Sequence, residues 1–164
     1  MTTATEDWNR LSQALRALHR ALTARARIDY AREKHIDPDI GPVELLHLLT
    51  DEPWFTWLRE LSELMVDLDM LQESGNAADM AAAARASIEY FVTPPNDGET
   101  PHAFAERYWT YVQEDPDVAI AHGEVKRALM AFPPTSTRER KHLLEHRVRL
   151  GTTARERDVP PSRN

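Results

Sequence analysis

The sequence predicts an all-α protein, an irregular bundle of about six helices with a basic C-terminal tail. Three observations carry that prediction. The 164 residues include five glycines, and most of the eleven prolines sit at segment ends, so chain breakers leave long uninterrupted stretches. Within those stretches large apolar side chains recur three and four residues apart, the period of a helix face. Nowhere does a sustained apolar–polar alternation suggest a strand.

The first helix is expected from about Thr5 to about His35, with Trp8, Leu11, Leu15, Leu18 and Leu22 on one face and Asp37-Pro38 beyond its end. Gly41-Pro42 opens a short second helix carrying Leu45, Leu46, Leu48 and Leu49, because proline is pre-set for a first helical turn. Thr50 or Asp51 is expected to cap a third helix that has Pro53 in its first turn and runs to about Glu73. Its apolar residues, from Trp54, Phe55 and Trp57 through Leu58, Leu61, Leu64, Met65, Leu68 and Leu71, cover a wide arc, the mark of a central helix. Ser74-Gly75-Asn76 breaks the chain, and Asn76 with Asp79 resembles a capping pair for an alanine-rich fourth helix ending near Val92. Residues 93–100 read as a loop. A fifth helix starts at Thr100-Pro101 with Phe104, Tyr108, Tyr111 and Val112 on one face, and Asp115-Pro116 interrupts it. The sixth runs to about Phe132, packing Val118, Ala121, Val125 and Leu129, until Pro133-Pro134 stops it. Residues 138–150 suit one further helix with a thin apolar face, and Pro160-Pro161 suits none. Short polar connections imply that sequential helices pack roughly antiparallel around helices one and three. The division expected is a bundle domain over residues 1–134 and a tail over 135–164.

Composition narrows the function classes. With 41% apolar and 29% charged residues, the chain can bury the core of one domain. The lack of cysteine removes disulfides, thiolate metal sites and cysteine nucleophiles together. The first nine residues carry Glu6 and Asp7 and no apolar stretch, and no later run reaches membrane-spanning length, so a soluble, cytoplasmic protein without a membrane role is expected. Of a net charge of −7, residues 135–164 contribute +4 through eight Lys or Arg against four acids, leaving −11 on residues 1–134. An acidic body with a basic tail invites self-docking of the tail or an anionic partner for it.

Histidine–carboxylate spacing is where a helical bundle would show a metal site. Glu44 with His47 and Glu139 with His142 have the Glu-x-x-His spacing of di-iron carboxylate bundles, a pattern loose enough for chance to supply. His47 also lies opposite Leu45 and Leu49, so it faces water if they face the core. His142 to His146 spells the His-x-x-Glu-His of inverted zinc peptidases, but the polar, proline-ended segment after it offers neither a third ligand nor a supporting shell. No metal or cofactor is expected.

Helix one holds the best candidate group. Its apolar stripe turns polar without changing phase: Arg25, Asp29 and Glu33 continue the side of Leu11, Leu18 and Leu22, with His19 and Tyr30 on the flank. Either the helix outruns the bundle there and these groups are solvated, or they form an internal network. Arg25 could then pair with Asp29 one turn away, or a carboxylate such as Asp69 of helix three could join them. His19, Arg25, Asp29, Tyr30, Glu33 and Asp69 are therefore the candidate ligand-binding residues, of types suited to acid–base work if they converge.

His122 lies on the core side of helix six, where a buried structural histidine hydrogen-bonded to a carbonyl is expected. Trp54, Phe55 and Trp57 are expected in the core, and partial exposure of one tryptophan would mark an interface. Arg16, Arg20, Arg27 and Lys34 form a basic stripe down helix one, read as a solvated face; a chain this acidic argues against nucleic-acid binding. Neither a glycine-rich phosphate loop nor a serine in a nucleophile elbow is present.

The segment from Gly41 to Ser62, GPVELLHLLTDEPWFTWLRELS, resembles a bacterial family of small all-helical proteins, loosely over the six helices and without the basic tail. The resemblance implies a helical fold and a bacterial, cytoplasmic setting, and carries no activity, cofactor or site residue. A non-enzymatic interaction or regulatory protein, contacting another protein or a second copy of itself, is the expected function. A metal- or small-ligand-binding bundle, with enzymatic activity conceivable, is the alternative, and nucleic-acid binding through the basic helix face and tail the second.

Overall fold

In the computed structural model, which describes residues 3–136, the first helix, α1, spans Ala4–Lys34. A capping box starts it: Thr3 Oγ1 accepts from the Glu6 N–H, and the Thr3 N–H donates to Glu6 Oε2 at 2.7 Å. Glu6 and Asp7 in the first turn and Arg32 and Lys34 in the last complement the helix dipole. His35, at φ 55°, ends it in the left-handed region.

Helix α2 spans Pro42–Asp51, followed by a 3₁₀ turn over Pro53–Phe55 and helix α3 over Thr56–Glu73. This corrects the expected start of the third helix. Thr50 and Asp51 finish α2, and the Thr50 hydroxyl donates back to the Leu46 carbonyl at 2.9 Å instead of capping forward. Pro53 excludes the helical conformation from the residue before it, so Glu52 is extended and the chain re-enters helix through the tighter turn.

Helix α4 spans Ala81–Val92, later than the expected capping pair would place it. Asn76 Nδ2 donates to Ser74 Oγ, and residues 77–80 form turns that close with the Met80 N–H on the Asn76 carbonyl, so the alanine run begins without a side-chain cap. Helix α5 spans Ala103–Glu114 and α6 Pro116–Leu129. Asp115 both ends α5 and caps α6, its carboxylate accepting from the N–H groups of Asp117 and Val118. Six α-helices and no strand are thus found among the described residues, the predicted all-α architecture.

Leu18, Leu22, Phe55, Leu61, Phe91, Tyr108 and Val125 are wholly buried, and one continuous core joins all the helices but α2 through buried side chains. The packing order differs from the sequential one expected. The most extensive helix contact is between the first helix and the last, α1 with α6, ahead of α1 with α3. Both helices bury small residues, Ala14 and Ala26 on α1 and Ala121 and Ala128 on α6. Phe132 secures this arrangement beyond α6: its ring meets Trp8 edge-on, with centroids 4.9 Å apart, and Arg85 of α4 donates to its carbonyl. Among the described residues no helix is long and apolar enough to cross a membrane. The expectations for a helix over 138–150, Glu139 with His142 and the 142–146 pattern lie outside the described residues, as does nearly all of the tail.

Candidate anion-binding trough

Helix α2 packs on α3 and the 3₁₀ turn, scarcely on α1, and what remains between α1 and α2 is an open trough of about 520 Å³. In the connection between the two helices Ile40 is buried in the core. One wall is α1, presenting Arg16, His19, Arg20, Thr23, Ala24 and Arg27. The other comprises Leu45 and Leu49 of α2, with Met65 of α3. Three of the four members of the basic stripe thus line a concave surface. The fourth, Lys34, lies apart, with Nζ 5.8 Å from the centre of the Tyr30 ring.

The charges of this trough are incompletely answered. Arg16 pairs with Asp69 at 3.0 Å, and Asp69 also accepts from Ser12 at 3.1 Å, both ion-pair side chains being about half exposed. Arg20 and Arg27 have no ion pair among the described residues. Arg27 Nε and Thr23 Oγ1 are buried atoms without a hydrogen-bond partner there, and a buried polar group left unmade is costly. His19 is anchored. The Ser62 hydroxyl donates to the Leu58 carbonyl, so its oxygen is free to accept from His19 Nε2–H at 2.8 Å. Burial holds the imidazole pKa below its ordinary value, so the ring is neutral near pH 7 and the arginines supply the positive charge. A cleft further along the α1–α3 seam, beside Trp8 and Leu68, has about 10 Å³, room for one water at most.

The six residues singled out in the sequence do not converge. His19 lines the trough, and Asp69 stands at its Arg16 end. Arg25 and Asp29 turn to α5: Arg25 pairs with Asp29 at 3.4 Å and with Glu114 at 2.9 Å, and its guanidinium stacks over Tyr111. Tyr111 is pushed far up in pKa by burial first and then by the Asp29 carboxylate, with Arg107 opposing. The expected one-turn pair of Arg25 with Asp29 is therefore present, and its third partner comes from α5, not from Asp69. Tyr30 is buried against Trp54 and Phe55, and Glu33 accepts from Trp54 Nε1 at 2.8 Å. Burial, with Glu52 and Glu44 beside it, raises the Tyr30 pKa.

Phe55 and Trp57 are buried as expected, and Trp54 is half-buried. Arg107 covers the Trp54 ring at 4.2 Å, so its partial exposure is already answered within the chain. His122 is hydrogen-bonded through Nδ1 to the Tyr108 hydroxyl at 2.6 Å, a side-chain partner. Tyr108 is wholly buried and His122 partly so, and the partner is a hydroxyl, not the expected carbonyl. His47 is exposed, in accord with its place opposite the leucines. No group of three or more metal-ligating side chains occurs among the described residues.

Sequence reasoning missed the second wall of the trough and Thr23. A signal was present: α2 has four leucines and a valine in ten residues, more apolar surface than a two-to-three-turn helix buries along one face. None of its residues is fully buried. Comparison with known proteins returned no match to any family model, curated protein or solved structure.

Proposed function

We propose that the protein is a non-enzymatic binding module that holds an anionic segment of a protein partner in the trough between α1 and α2. The observation that carries this reading is the combination, in one concave surface, of unpaired Arg20 and Arg27 with aliphatic side chains opposite them. Asp69 answers Arg16, while Arg20 and Arg27 have no acid within ion-pairing reach among the described residues, so carboxylates of a partner can complement them. The cationic group of Arg25 is answered by Asp29 and Glu114, whereas Arg20 and Arg27 in the trough have no ion pair among the described residues.

Poly-L-glutamate is the simplest probe. The full chain is expected to bind it at low salt, with affinity falling as salt rises. The double variant Arg20→Glu/Arg27→Glu is expected to lose at least tenfold while keeping its helical circular-dichroism spectrum. Undiminished binding by that variant would place the anion site on the basic segment after residue 134 and overturn the reading.

A further inference from the structure

Resting on the trough as an anion site, we infer that its occupant is an amphipathic α-helix of a partner protein, with acidic residues along one edge and aliphatic residues beside them. The arginines set the geometry. Arg16, Arg20 and Arg27 stand at n, n+4 and n+11 on one face of α1, about 16 Å from end to end at 1.5 Å per residue. Helical periodicity repeats that spacing on a second helix laid alongside, as i, i+4 and i+11 if parallel or i, i+7 and i+11 if antiparallel. Thr23 and Ala24, between the arginines, are small enough to let another helix approach.

The trough is an open groove of about 520 Å³, and an amphipathic helix seats in such a groove by its apolar face.

The lining chooses between classes of polyanion. Single-stranded nucleic acid is held by aromatic side chains on which bases stack, and the trough is lined by no Phe, Tyr or Trp; its apolar wall is Leu45, Leu49 and Met65. Leucine and methionine suit the branched aliphatic side chains of a partner helix. Asp69 has a place in this arrangement. It occupies Arg16 until a partner carboxylate displaces it, and because both side chains are about half exposed the exchange is inexpensive.

The test uses the full chain and two labelled 18-residue helical peptides of identical composition. One has glutamates at its positions 4, 8, 11 and 15, which serves either direction, with leucines flanking them; the other has the glutamates spread around the helix. The patterned peptide is expected to bind at least tenfold more tightly and to gain helicity on binding. Asp69→Asn is expected to tighten it severalfold. Arg20→Glu/Arg27→Glu is expected to reject it and to accept the same peptide with lysines in place of the glutamates. Arg20→Gln, at an exposed position, gives a milder loss should the double variant fold poorly. Equal affinity for the two isomers overturns the helical occupant, as does an oligo-dT that binds more tightly than the patterned peptide, or failure of the charge-reversed pair. If poly-L-glutamate binding nevertheless depends on Arg20 and Arg27, the trough survives as an anion site without a helical preference.

Discussion

Glu89 on α4 is a buried carboxylate with 6% of its surface exposed, and it persists because Arg85, one turn earlier, reaches it at 2.9 Å. Arg85 also donates to the Phe132 carbonyl, so a single guanidinium answers a buried charge and ties the segment after α6 to α4. Removing Arg85 takes from the buried Glu89 carboxylate its cation one turn away, and breaking a buried pair costs about 3 kcal/mol. Arg85→Ala is therefore expected to lower stability to unfolding by urea by about that amount. The double variant Arg85→Met/Glu89→Leu is expected to recover most of the loss, since apolar side chains of similar volume remove the buried charge. A double variant as unstable as the single one would mean that the hydrogen bond to Phe132, not the charge, carries the effect. The pair was visible in the sequence as opposite charges four apart. Its burial was not, because Ile88, Phe91 and Val92 mark an inner face only at the end of α4 and the alanines before them do not show how far round the helix it extends.

Helix α2 behaves as an element unlike the rest. Its valine and leucines should have fixed an inner face, yet Val43 and Leu46 are 70% and 64% exposed and Leu45, Leu48 and Leu49 are only partly covered. Local opening costs least where little apolar surface is buried, so α2 is expected to unfold locally well below the global free energy. Hydrogen exchange should find its amides exchanging on the order of a hundredfold faster than those of Leu15 to Leu22 in α1. Equal protection of the two segments would contradict the weak packing seen here. The same comparison shows what element-level reasoning can reach. Where a cap is written in side chains, as in Thr3-x-x-Glu6 or Asp115 before Pro116, the helix starts at that cap. Where a proline or an asparagine offered two readings, at Pro53 and Asn76, the boundary moved by several residues, since a 3₁₀ turn and a short run of turns satisfy the same backbone groups. The basic stripe on α1 was legible as a stripe. That three of its arginines would line a trough was not, because the hollow depends on a helix failing to close against its neighbour, and periodicity records only which face is apolar.

At the scale of the whole molecule, the same core that encloses the aromatic side chains also sets how stability responds to pH. His19 and His122 are both held below the ordinary histidine pKa of about 6.5 by burial, with Lys126 adding to the effect at His122. The unfolded chain then binds more protons than the folded one as pH falls through 6.5 and below, so this part of the stability is fully present above 6.5 and is lost in acid. Each proton taken up on unfolding can contribute a slope of at most about 1.4 kcal/mol per pH unit. Tyr30, Tyr108 and Tyr111 act in the opposite sense, because burial raises all three phenols above their ordinary value near 10. The folded chain keeps protons there that the unfolded chain releases, and stability falls as pH rises past 10. The expected profile is a plateau from about pH 7 to 9 with a decline on each side, measurable as the urea midpoint. His19→Gln/His122→Gln is expected to flatten the decline between pH 7 and 5 while leaving the alkaline limb in place. An acid limb unchanged in that variant would assign it to carboxylates, and the neutral state of the two histidines would then have no part in holding the bundle together.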